Sequence, residues 1–497
     1  MGIIAKQGIR GTIVTYIGVA VGFVTTFFVI TRFLTTEEIG LARVLIDAAT
    51  LFVGLAQLGT STSIIRFFPY FKDDKDNHGF FFWTVIVPLI GFAVLCLIYW
   101  LCATPLQHWF GDKSPLFIDY YYMVLPIAFF MLYQTVFETN SNVLMHIVVP
   151  RAVREIGVRV VLLALYLMYA FRILSLDGFV IGLCLDYAIA AFINLCYLFS
   201  LGRISLKPDL TFIRQNIDIV KSYGLYTGFL IVAALTSVLA PTLSSFFITA
   251  QMGLSFTGIF AIATYIAVMV SIPSRSICAI AQPELSAAIK NSDKDSINRL
   301  VAQASNNLLL VGGLILLVIW INIDLIFHIL PNGETYAVAK HTVLLLGIGQ
   351  LMVSTFSIFI PLLNYSRYYA FSLLNSAVLT TSAIFFNNML IPQFGMNGAA
   401  FATVIADIIY YILVFGISCT AMRVMPFSRR QLVTLTLIVS LFVVNKLWQV
   451  YMPIDNIWFD SIARTIVLGA VALWIIVKAD LSPEFHALLS SLRVYRN

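Results

Sequence analysis

Long apolar runs are the feature that most constrains how this chain folds. Runs of about 20 residues recur from one end of the 497-residue chain to the other, and each is long enough to cross ~30 Å of hydrocarbon. Backbone polar groups in lipid must be satisfied within the segment, so each run is expected to be a helix. A soluble protein could not cover this much apolar surface, because 60% of the residues are hydrophobic and only 11% are charged. The sequence therefore predicts an all-α integral membrane protein.

The apolar runs predict about fourteen transmembrane helices. Twelve or thirteen is the alternative, because the neighbouring runs around Glu37 and around Gly253 are separated by very little polar sequence. The runs cover residues 11–34, 39–68, 79–103, 117–145, 153–171, 178–201, 222–249, 254–280, 300–321, 339–365, 369–391, 398–422, 430–450 and 457–477.

A weak internal repeat relates the two halves of the chain. Gly40 and Lys72 in the first half correspond to Gly258 and Lys290 in the second, and the members of each pair are 218 positions apart. Six helices per repeat is an even number, so both bundles are expected to enter the membrane from the same side, as a pseudo-two-fold parallel repeat. The predicted division is a six-helix bundle over 1–202, a second over 203–423, two additional transmembrane helices over 424–480 and a cytoplasmic amphipathic tail over 481–497.

The placement of lysine and arginine predicts the orientation. Most of the 30 lysines and arginines lie at the termini and in the even-numbered loops. Because cytoplasmic loops carry the excess of positive charge, both termini are expected in the cytoplasm. The net charge of +6 follows from this bias and gives no indication of a nucleic-acid partner.

The segment NNMLIPQFGMNGAAFATVIAD, residues 387–407, joins two apolar helices late in the chain. Pro392 is expected to end the first helix, and Gly395 and Gly398 permit a tight reversal. The small residues that follow allow neighbouring helices to approach closely. A turn between packed helices therefore accounts for the proline and the glycines without a functional role.

The same segment resembles the N-x-x-L-I-P-x-x-G-x-x-G-A-A-x-A-T pattern of the polysaccharide-export branch of the multidrug/oligosaccharidyl-lipid/polysaccharide (MOP) superfamily. Residues 32–69 resemble that branch through their Leu-Thr-x-x-x-x-Gly turn and Leu-Gly-Thr segment. The resemblance implies a Wzx-type flippase, which moves a polyprenyl-pyrophosphate-linked oligosaccharide from the cytoplasmic to the periplasmic leaflet of the bacterial inner membrane. It also implies alternating access, a role in O-antigen, capsule or exopolysaccharide biosynthesis, and partners among membrane lipids and the polymerase and glycosyltransferases of the same pathway.

Charged residues inside the spans are the candidate functional residues. Each costs roughly 2.5–3.5 kcal/mol at the bilayer centre, so such residues face a wet cavity or a partner. Arg43 and Asp47 are four residues apart and share a helix face, which leaves a local ion pair and a functional role equally open. Glu155 and Arg159 have the same spacing, and together with Arg151 they also fit a snorkelling cluster at the cytoplasmic interface.

Arg275 is the strongest single ligand candidate. It has no acid within four residues, and it lies near Pro273, which can unwind a helix and free carbonyl groups. The planar guanidinium group can bind two phosphate oxygens at once. The resemblance implies that cationic residues in a central cavity hold the lipid pyrophosphate. Matched by span and depth alone, these residues are Arg10, Arg43, Arg159 and Arg275.

Four acids in the spans have two candidate roles. They either carry protons or sodium during transport or neutralise the arginines, which is the commoner role. The four are Asp47, Glu138, Asp186 and Asp407.

Two other classes of function are open to such a chain. A cation-coupled multidrug or metabolite exporter of the same superfamily would need an acid-based cation site and no set of arginines. A membrane-embedded glycan transferase or polymerase is disfavoured, because the six histidines never have metal or catalytic spacing and no HExxH, GxSxG or Walker motif is present. Asp74-Lys75-Asp76 matches only the minimal D-x-D pattern. The sequence therefore predicts no catalytic activity, no metal and no cofactor.

Overall fold

The chain folds into helices that form two units. The computed structural model describes residues 14–15, 17–71, 77–144, 146–202, 207, 242–366, 368, 370–425, 428–452, 454–479 and 481. The first compact unit is Met1–Ala261 and the second is Ile262–Asn497. The predicted divisions after residues 202, 423 and 480 stay predictions, and the predicted tail lies outside the described residues except for Leu481.

The first unit contains the helices up to the beginning of α12. They are α1 (Ile17–Phe33), α2 (Thr36–Ala56), α3 (Thr60–Phe71), α4 (Phe80–Leu101), α5 (Ala103–Gly111), α6 (Pro115–Asp119), α7 (Val124–Val143), α8 (Val148–Ala152), α9 (Val158–Ala170), α10 (Leu176–Ser200), α11 (242–251) and α12 (Leu254–Val268). Two π-helical turns lie among them, Thr25–Ile30 within α1 and Val153–Gly157 between α8 and α9.

The second unit contains the rest of α12 and ten further helices. They are α13 (Ile272–Lys290), α14 (Lys294–Ile321), α15 (Ile323–Ile329), α16 (Gly333–Ala337), α17 (Lys340–Phe356), α18 (Phe359–Tyr365), α19 (Ala370–Phe394), α20 (Met396–Ile417), α21 (Arg429–Tyr451) and α22 (Ile457–Lys478).

Ten helices in the described parts of the chain are long and apolar enough to cross a membrane, or eleven if α17 and α18, bent by 42°, count as one span. The all-helical membrane class predicted from the sequence is therefore confirmed. These candidates coincide with eleven of the predicted runs. Of the others, the first is seen as the shorter α1, the run 153–171 is interrupted by a π-helical turn, and the run 222–249 lies mostly outside the described residues. The count of fourteen stays a prediction.

Side-chain caps fix where two of the spans begin. The Thr35 hydroxyl accepts a hydrogen bond from the Glu38 N–H (3.3 Å), and the Glu38 carboxylate accepts one from the Thr35 N–H (2.8 Å). Ser428 and Gln431 form the same capping box at the start of α21. A cap of this kind stabilises a helix start by about 1 kcal/mol, so local sequence sets the first turns of α2 and α21.

The two glycines that mark the sequence repeat lie against each other. A Cβ atom on Gly40 would lie 2.0 Å from the Leu254 carbonyl oxygen, and one on Gly258 would lie 2.0 Å from the Thr36 carbonyl oxygen. The same Cβ on Gly258 would lie 3.1 Å from the Gly40 nitrogen. Backbone thus meets backbone where α2 and the start of α12 cross, and only glycine fits at either position.

The reversal in the segment 387–407 is made by glycine and not by proline. The helix α19 continues through Pro392 to Phe394, so the prediction that Pro392 ends the helix is wrong. Pro392 lies in the last turn, where the N–H that it lacks removes only one helical hydrogen bond. Gly395 turns the chain with φ +58°, and a Cβ on Gly398 would lie 2.2 Å from the Leu390 carbonyl oxygen. Gly398 therefore permits the close approach of α20 to the end of α19.

The predicted second span, 39–68, is two helices. The helix α2 ends at Ala56, Leu58 and Gly59 have positive φ angles of 48° and 69°, and α3 begins at Thr60. Two successive left-handed residues cannot continue a right-handed helix. The sequence prediction joined the two helices into one span, although residues 57–63 (QLGTSTS) contain a single apolar residue, Leu58.

The last two helices pack on α14 in the second unit. The buried Asn306 of α14 donates to the Leu481 carbonyl oxygen (2.7 Å) and accepts from the Thr434 hydroxyl of α21 (3.0 Å). Leu310, Leu437, Leu468 and other buried aliphatic residues surround these hydrogen bonds. One buried amide therefore ties α21 and the chain just after α22 to α14.

Candidate functional site

The first candidate pair, Arg43 and Asp47, is a closed ion pair on α2. The distance from Arg43 Nε to Asp47 Oδ2 is 2.8 Å. Asp47 is buried and also accepts a hydrogen bond from Ser245 of α11, whereas 21% of the Arg43 side chain is exposed. The carboxylate is therefore the more buried end of the pair, and the local ion pair, one of the two alternatives that the spacing left open, is present.

A second group of charges joins three parts of the first unit. Glu138 of α7 is buried, and Arg154 Nη1 lies 3.0 Å from its Oε1 and 3.1 Å from its Oε2. Glu155 Oε1 lies 3.3 Å from Arg154 Nη2, and Glu155 Oε2 lies 3.3 Å from Arg159 Nη2. We call Glu138, Arg154, Glu155 and Arg159 the arginine–glutamate cluster. It links α7 through the π-helical turn Val153–Gly157 to the start of α9.

The helix α1 packs against this cluster through two glycines. A Cβ atom on Gly18 would lie 2.2 Å from the Glu155 carbonyl oxygen, and one on Gly22 would lie 3.4 Å from Arg159 Nη1. Glycines four residues apart let two helix backbones approach closely. The remaining predicted arginine, Arg10, precedes α1 and lies outside the described residues.

Asp186 of α10 is the acid with the most unusual surroundings. Its exposure is 1%, and neither carboxylate oxygen has a hydrogen-bond partner in the part of the chain that the structure describes. Asn194, two turns further along α10, is also buried, and within the same residues both ends of its amide lack a partner. Buried polar groups normally have hydrogen-bond partners. Burial of these two side chains without partners costs free energy, and the described residues around them offer no compensating contact.

Asp407 lies in the second unit, on α20. It is partly buried, and a Cβ atom on Gly349 of α17 would lie 3.7 Å from its Oδ2. The carboxylate therefore lies beside the glycine of the neighbouring helix, where a larger side chain would crowd it.

Arg275 is exposed on α13, and it has no ion pair or side-chain hydrogen bond among the residues that the structure describes. A 3₁₀ turn, Met269–Ser271, precedes α13, so the helix is interrupted just before Pro273, near the position that the sequence indicated. Ser271 donates to the Val268 carbonyl oxygen (3.0 Å) and Ser274 to the Ser271 carbonyl oxygen (2.7 Å). Serine hydroxyl groups therefore bind carbonyl groups at the interruption.

The structure brings together some of the predicted residues and adds one that sequence reasoning missed. Glu138 and Arg159 belong to one cluster, and Arg154 connects them. On an ideal α-helix Arg154 lies off the face that carries Glu155 and Arg159, and its contact with Glu138 is between residues 16 positions apart. The only local signal was its position beside Glu155 in a charged stretch.

A further charged residue is buried in the last two helices. Arg464 of α22 is 3% exposed, with its Nη2 at 2.6 Å from Asp460 Oδ2 and its Nη1 at 3.1 Å from Asn445 Oδ1. Both terminal nitrogens of this arginine are held by side chains of the last two helices, and only its Nε lacks a partner among the described residues. Arg464 is therefore a structural residue and not a candidate ligand.

Several solved structures share the fold of this chain. The lipid II flippase MurJ in an inward closed conformation has a TM-score of 0.72 and 12% identity, over 95% of this chain and 99% of that one. An inward-facing multidrug resistance MATE family transporter of the MOP superfamily has a TM-score of 0.63 and 15% identity, over 84% and 98%. A mutant of the Vibrio cholerae MATE transporter VcmN has a TM-score of 0.57 and 13% identity, over 85% and 98%. At such identities these likenesses establish the fold, which is the MurJ/MATE-like fold.

The sequence itself gives the family. Residues 4–286 match the family described as "Polysaccharide biosynthesis protein". This match covers more than half of the chain, and the chain belongs to that family. The resemblance noted in the sequence is thereby confirmed. No curated protein sequence matches the chain.

Proposed function

We propose that this protein is a flippase that moves a polyprenyl-pyrophosphate-linked oligosaccharide from the cytoplasmic to the periplasmic leaflet by alternating access. It would act in the bacterial inner membrane, with both termini in the cytoplasm, during synthesis of a surface polysaccharide. Membership of the polysaccharide biosynthesis family carries the proposal. The fold, which is similar to that of a lipid II flippase, supports it.

The chemistry of the arginines supports an anionic lipid as substrate. A guanidinium group inside a membrane protein is costly unless it has a partner or a wet surface, and its planar fork suits phosphate oxygens. Arg43 and Arg159 are each paired with a carboxylate, but both side chains remain partly exposed. Arg275 is exposed. The substrate-binding residues that we propose are Arg10, Arg43, Arg159 and Arg275.

The acids divide into two proposed roles. Asp47 and Glu138 balance the charge of arginines with which they are paired. Asp186 and Asp407 are the candidates for coupling to protons or sodium, because neither has a carboxylate–arginine ion pair among the described residues. If Asp186→Asn leaves the proton and sodium dependence of transport unchanged at equal protein levels, Asp186 has no coupling role.

Deletion of the gene tests the proposed function. Without the flippase, its lipid-linked oligosaccharide is expected to accumulate on the inner leaflet, where mass spectrometry of extracted lipids identifies the glycan. Re-expression of the protein should remove this lipid. If no lipid-linked sugar accumulates, a cation-coupled multidrug or metabolite exporter with the same fold becomes the better account.

Replacing Arg275 by alanine is expected to reduce surface-polysaccharide export at least about tenfold. A tenfold effect corresponds to about 1.4 kcal/mol, which is modest for the loss of a charge-assisted phosphate contact. Export is measured in the deletion strain after the membrane level of each variant has been equalised. The matched control is Arg299→Ala, which removes an exposed arginine from the first turns of α14. Normal export by Arg275→Ala would remove this residue from the site.

A further inference from the structure

Two arginines of the first unit hold a single carboxylate between them. Glu155 presents one oxygen to Arg154 Nη2 and the other to Arg159 Nη2, both at 3.3 Å. Only 13% of the Glu155 side chain is exposed, compared with 45% for Arg154 and 31% for Arg159. The two guanidinium groups therefore each contact a different oxygen of one carboxylate, and both side chains remain partly exposed.

The contacts within the arginine–glutamate cluster differ in strength. Arg154 approaches both oxygens of the buried Glu138, at 3.0 and 3.1 Å. Charge-assisted hydrogen bonds are usually about 2.7–2.9 Å long, so the 3.3 Å contacts of Glu155 are the weaker ones. Glu138 therefore fixes Arg154 in place, whereas Glu155 is the anion that can be exchanged.

The local charge favours a second anion. Arg151 also acts electrostatically on Glu138, so this part of the described chain carries three arginines for two glutamates. An excess of positive charge in partly desolvated surroundings attracts an anion more strongly than it would in water. The chemical class that fits is a phosphate or diphosphate group, because its oxygens can bind two guanidinium forks at the same time.

We propose that Arg154 and Arg159 form a clamp for a phosphate of the lipid-linked diphosphate, and that Glu155 is an internal competitor which this phosphate displaces. The clamp rests on the proposed function, to which it adds Arg154 as a binding residue and Glu155 as a residue that limits affinity. Competition by Glu155 lets the clamp capture a highly charged group and still release it, because the returning carboxylate neutralises the two arginines.

The test is the affinity of the purified protein for inorganic pyrophosphate. The protein is reconstituted in phosphatidylcholine nanodiscs, and binding is measured by isothermal titration calorimetry. Glu155→Gln keeps the shape of the side chain and removes its charge, so it is expected to bind pyrophosphate at least about tenfold more tightly than the unchanged protein. The double variants Arg154→Gln/Glu155→Gln and Arg159→Gln/Glu155→Gln should lose this gain. Glu334→Gln, an exposed acid of the second unit, is the charge-matched control and should leave the affinity unchanged.

Two results would overturn the clamp. One is an unchanged or weaker affinity in Glu155→Gln, and the other is a gain that persists without Arg154 or Arg159. If Glu155→Gln does not fold, the single variant Arg159→Gln serves as the test. It should weaken pyrophosphate binding at least about tenfold, and an unaltered dissociation constant would refute the proposal.

A second arm separates the diphosphate of the substrate from ordinary anionic lipid. In nanodiscs that contain phosphatidylglycerol, pyrophosphate should still bind Glu155→Gln, whereas loss of binding would assign the clamp to the lipid headgroup and overturn the proposal.

The outcome is also independent of the deletion experiment. If pyrophosphate affinity does not respond to Glu155→Gln while lipid-linked sugar accumulates in the deletion strain, the clamp fails and the flippase proposal stands. The opposite pair of results refutes the flippase and the lipid-linked ligand, and leaves only a pyrophosphate site formed by the two arginines.

Discussion

Replacing Gly258 by alanine is expected to lower the stability of the protein by about 3 kcal/mol, at the upper end of the cost of overpacking. The added methyl group would lie 2.0 Å from the Thr36 carbonyl oxygen and 3.1 Å from the Gly40 nitrogen, so it meets backbone that no side-chain rotation can move aside. Gly40→Ala should have a similar effect through its contact with the Leu254 carbonyl oxygen. The measurement is the apparent melting temperature of the detergent-solubilised protein. It is obtained from the amount of protein that remains monodisperse in size-exclusion chromatography after heating.

The control for this prediction is Gly469→Ala. Gly469 lies within α22, and a Cβ atom there has no neighbour within 4 Å. The same substitution should be neutral or stabilise by about 0.5–1 kcal/mol, because alanine has the higher helix propensity. Equal melting temperatures for the Gly258 and Gly469 variants would show that the close crossing of α2 and α12 does not exist.

The second large effect is expected at the buried Arg464. Asp460→Ala should destabilise the protein by about 3–5 kcal/mol, because it leaves a guanidinium that is 3% exposed without its carboxylate partner. Arg464→Met should cost much less, since it removes the buried charge and keeps most of the side-chain length. The Asp460→Ala variant should therefore melt at a lower temperature than the Arg464→Met variant.

The double variant Asp460→Ala/Arg464→Met makes this second prediction sharper. If the cost of Asp460→Ala comes from the unpaired arginine, adding Arg464→Met should restore most of the lost stability. Asp455→Ala removes an exposed acid just before α22 and should change little. A double variant as unstable as Asp460→Ala, or an Asp460→Ala variant as stable as Asp455→Ala, would contradict the prediction.

The all-helical membrane class was predictable from the sequence, because it depends on the lipid that surrounds the chain and on residue spacing within single helices. Lipid requires a helix wherever the chain is apolar for about 20 residues, whatever the tertiary contacts are. The i, i+4 pairs Arg43–Asp47 and Glu155–Arg159 were also readable, because helix geometry alone brings such residues together. Departures from the regular α form were harder to predict. The break at Leu58 and Gly59 lies in a mostly polar stretch that was nevertheless joined into one span, and nothing in the hydropathy marked the π-helical turn Val153–Gly157.

The candidate site was predictable only in part, because its contacts join residues that are distant in the sequence. Spacing could not pair Glu138 with Arg154 of another helix, and it could not show that Asp186 is buried with no hydrogen-bond partner in the described chain. Pro392 illustrates the opposite error, since a residue that usually ends a helix lies here inside the last turn of α19. The roles proposed for Arg10, Arg43, Arg159 and Arg275 stay predictions that transport measurements must test.

Hydrophobic length and charge are properties of each segment alone, so the amino-acid sequence is enough to predict a chain of membrane helices with arginines among its apolar segments. It also identified Gly40 and Gly258 as equivalent positions of a repeat. The packed structure was needed to show that these two glycines touch, that Arg154 joins Glu138 to Glu155, and that Arg464 is buried. The physical reason is that helices this apolar have no face that marks their partners, so the choice of neighbour is made by shape and by the few polar groups that must be satisfied when the helices pack.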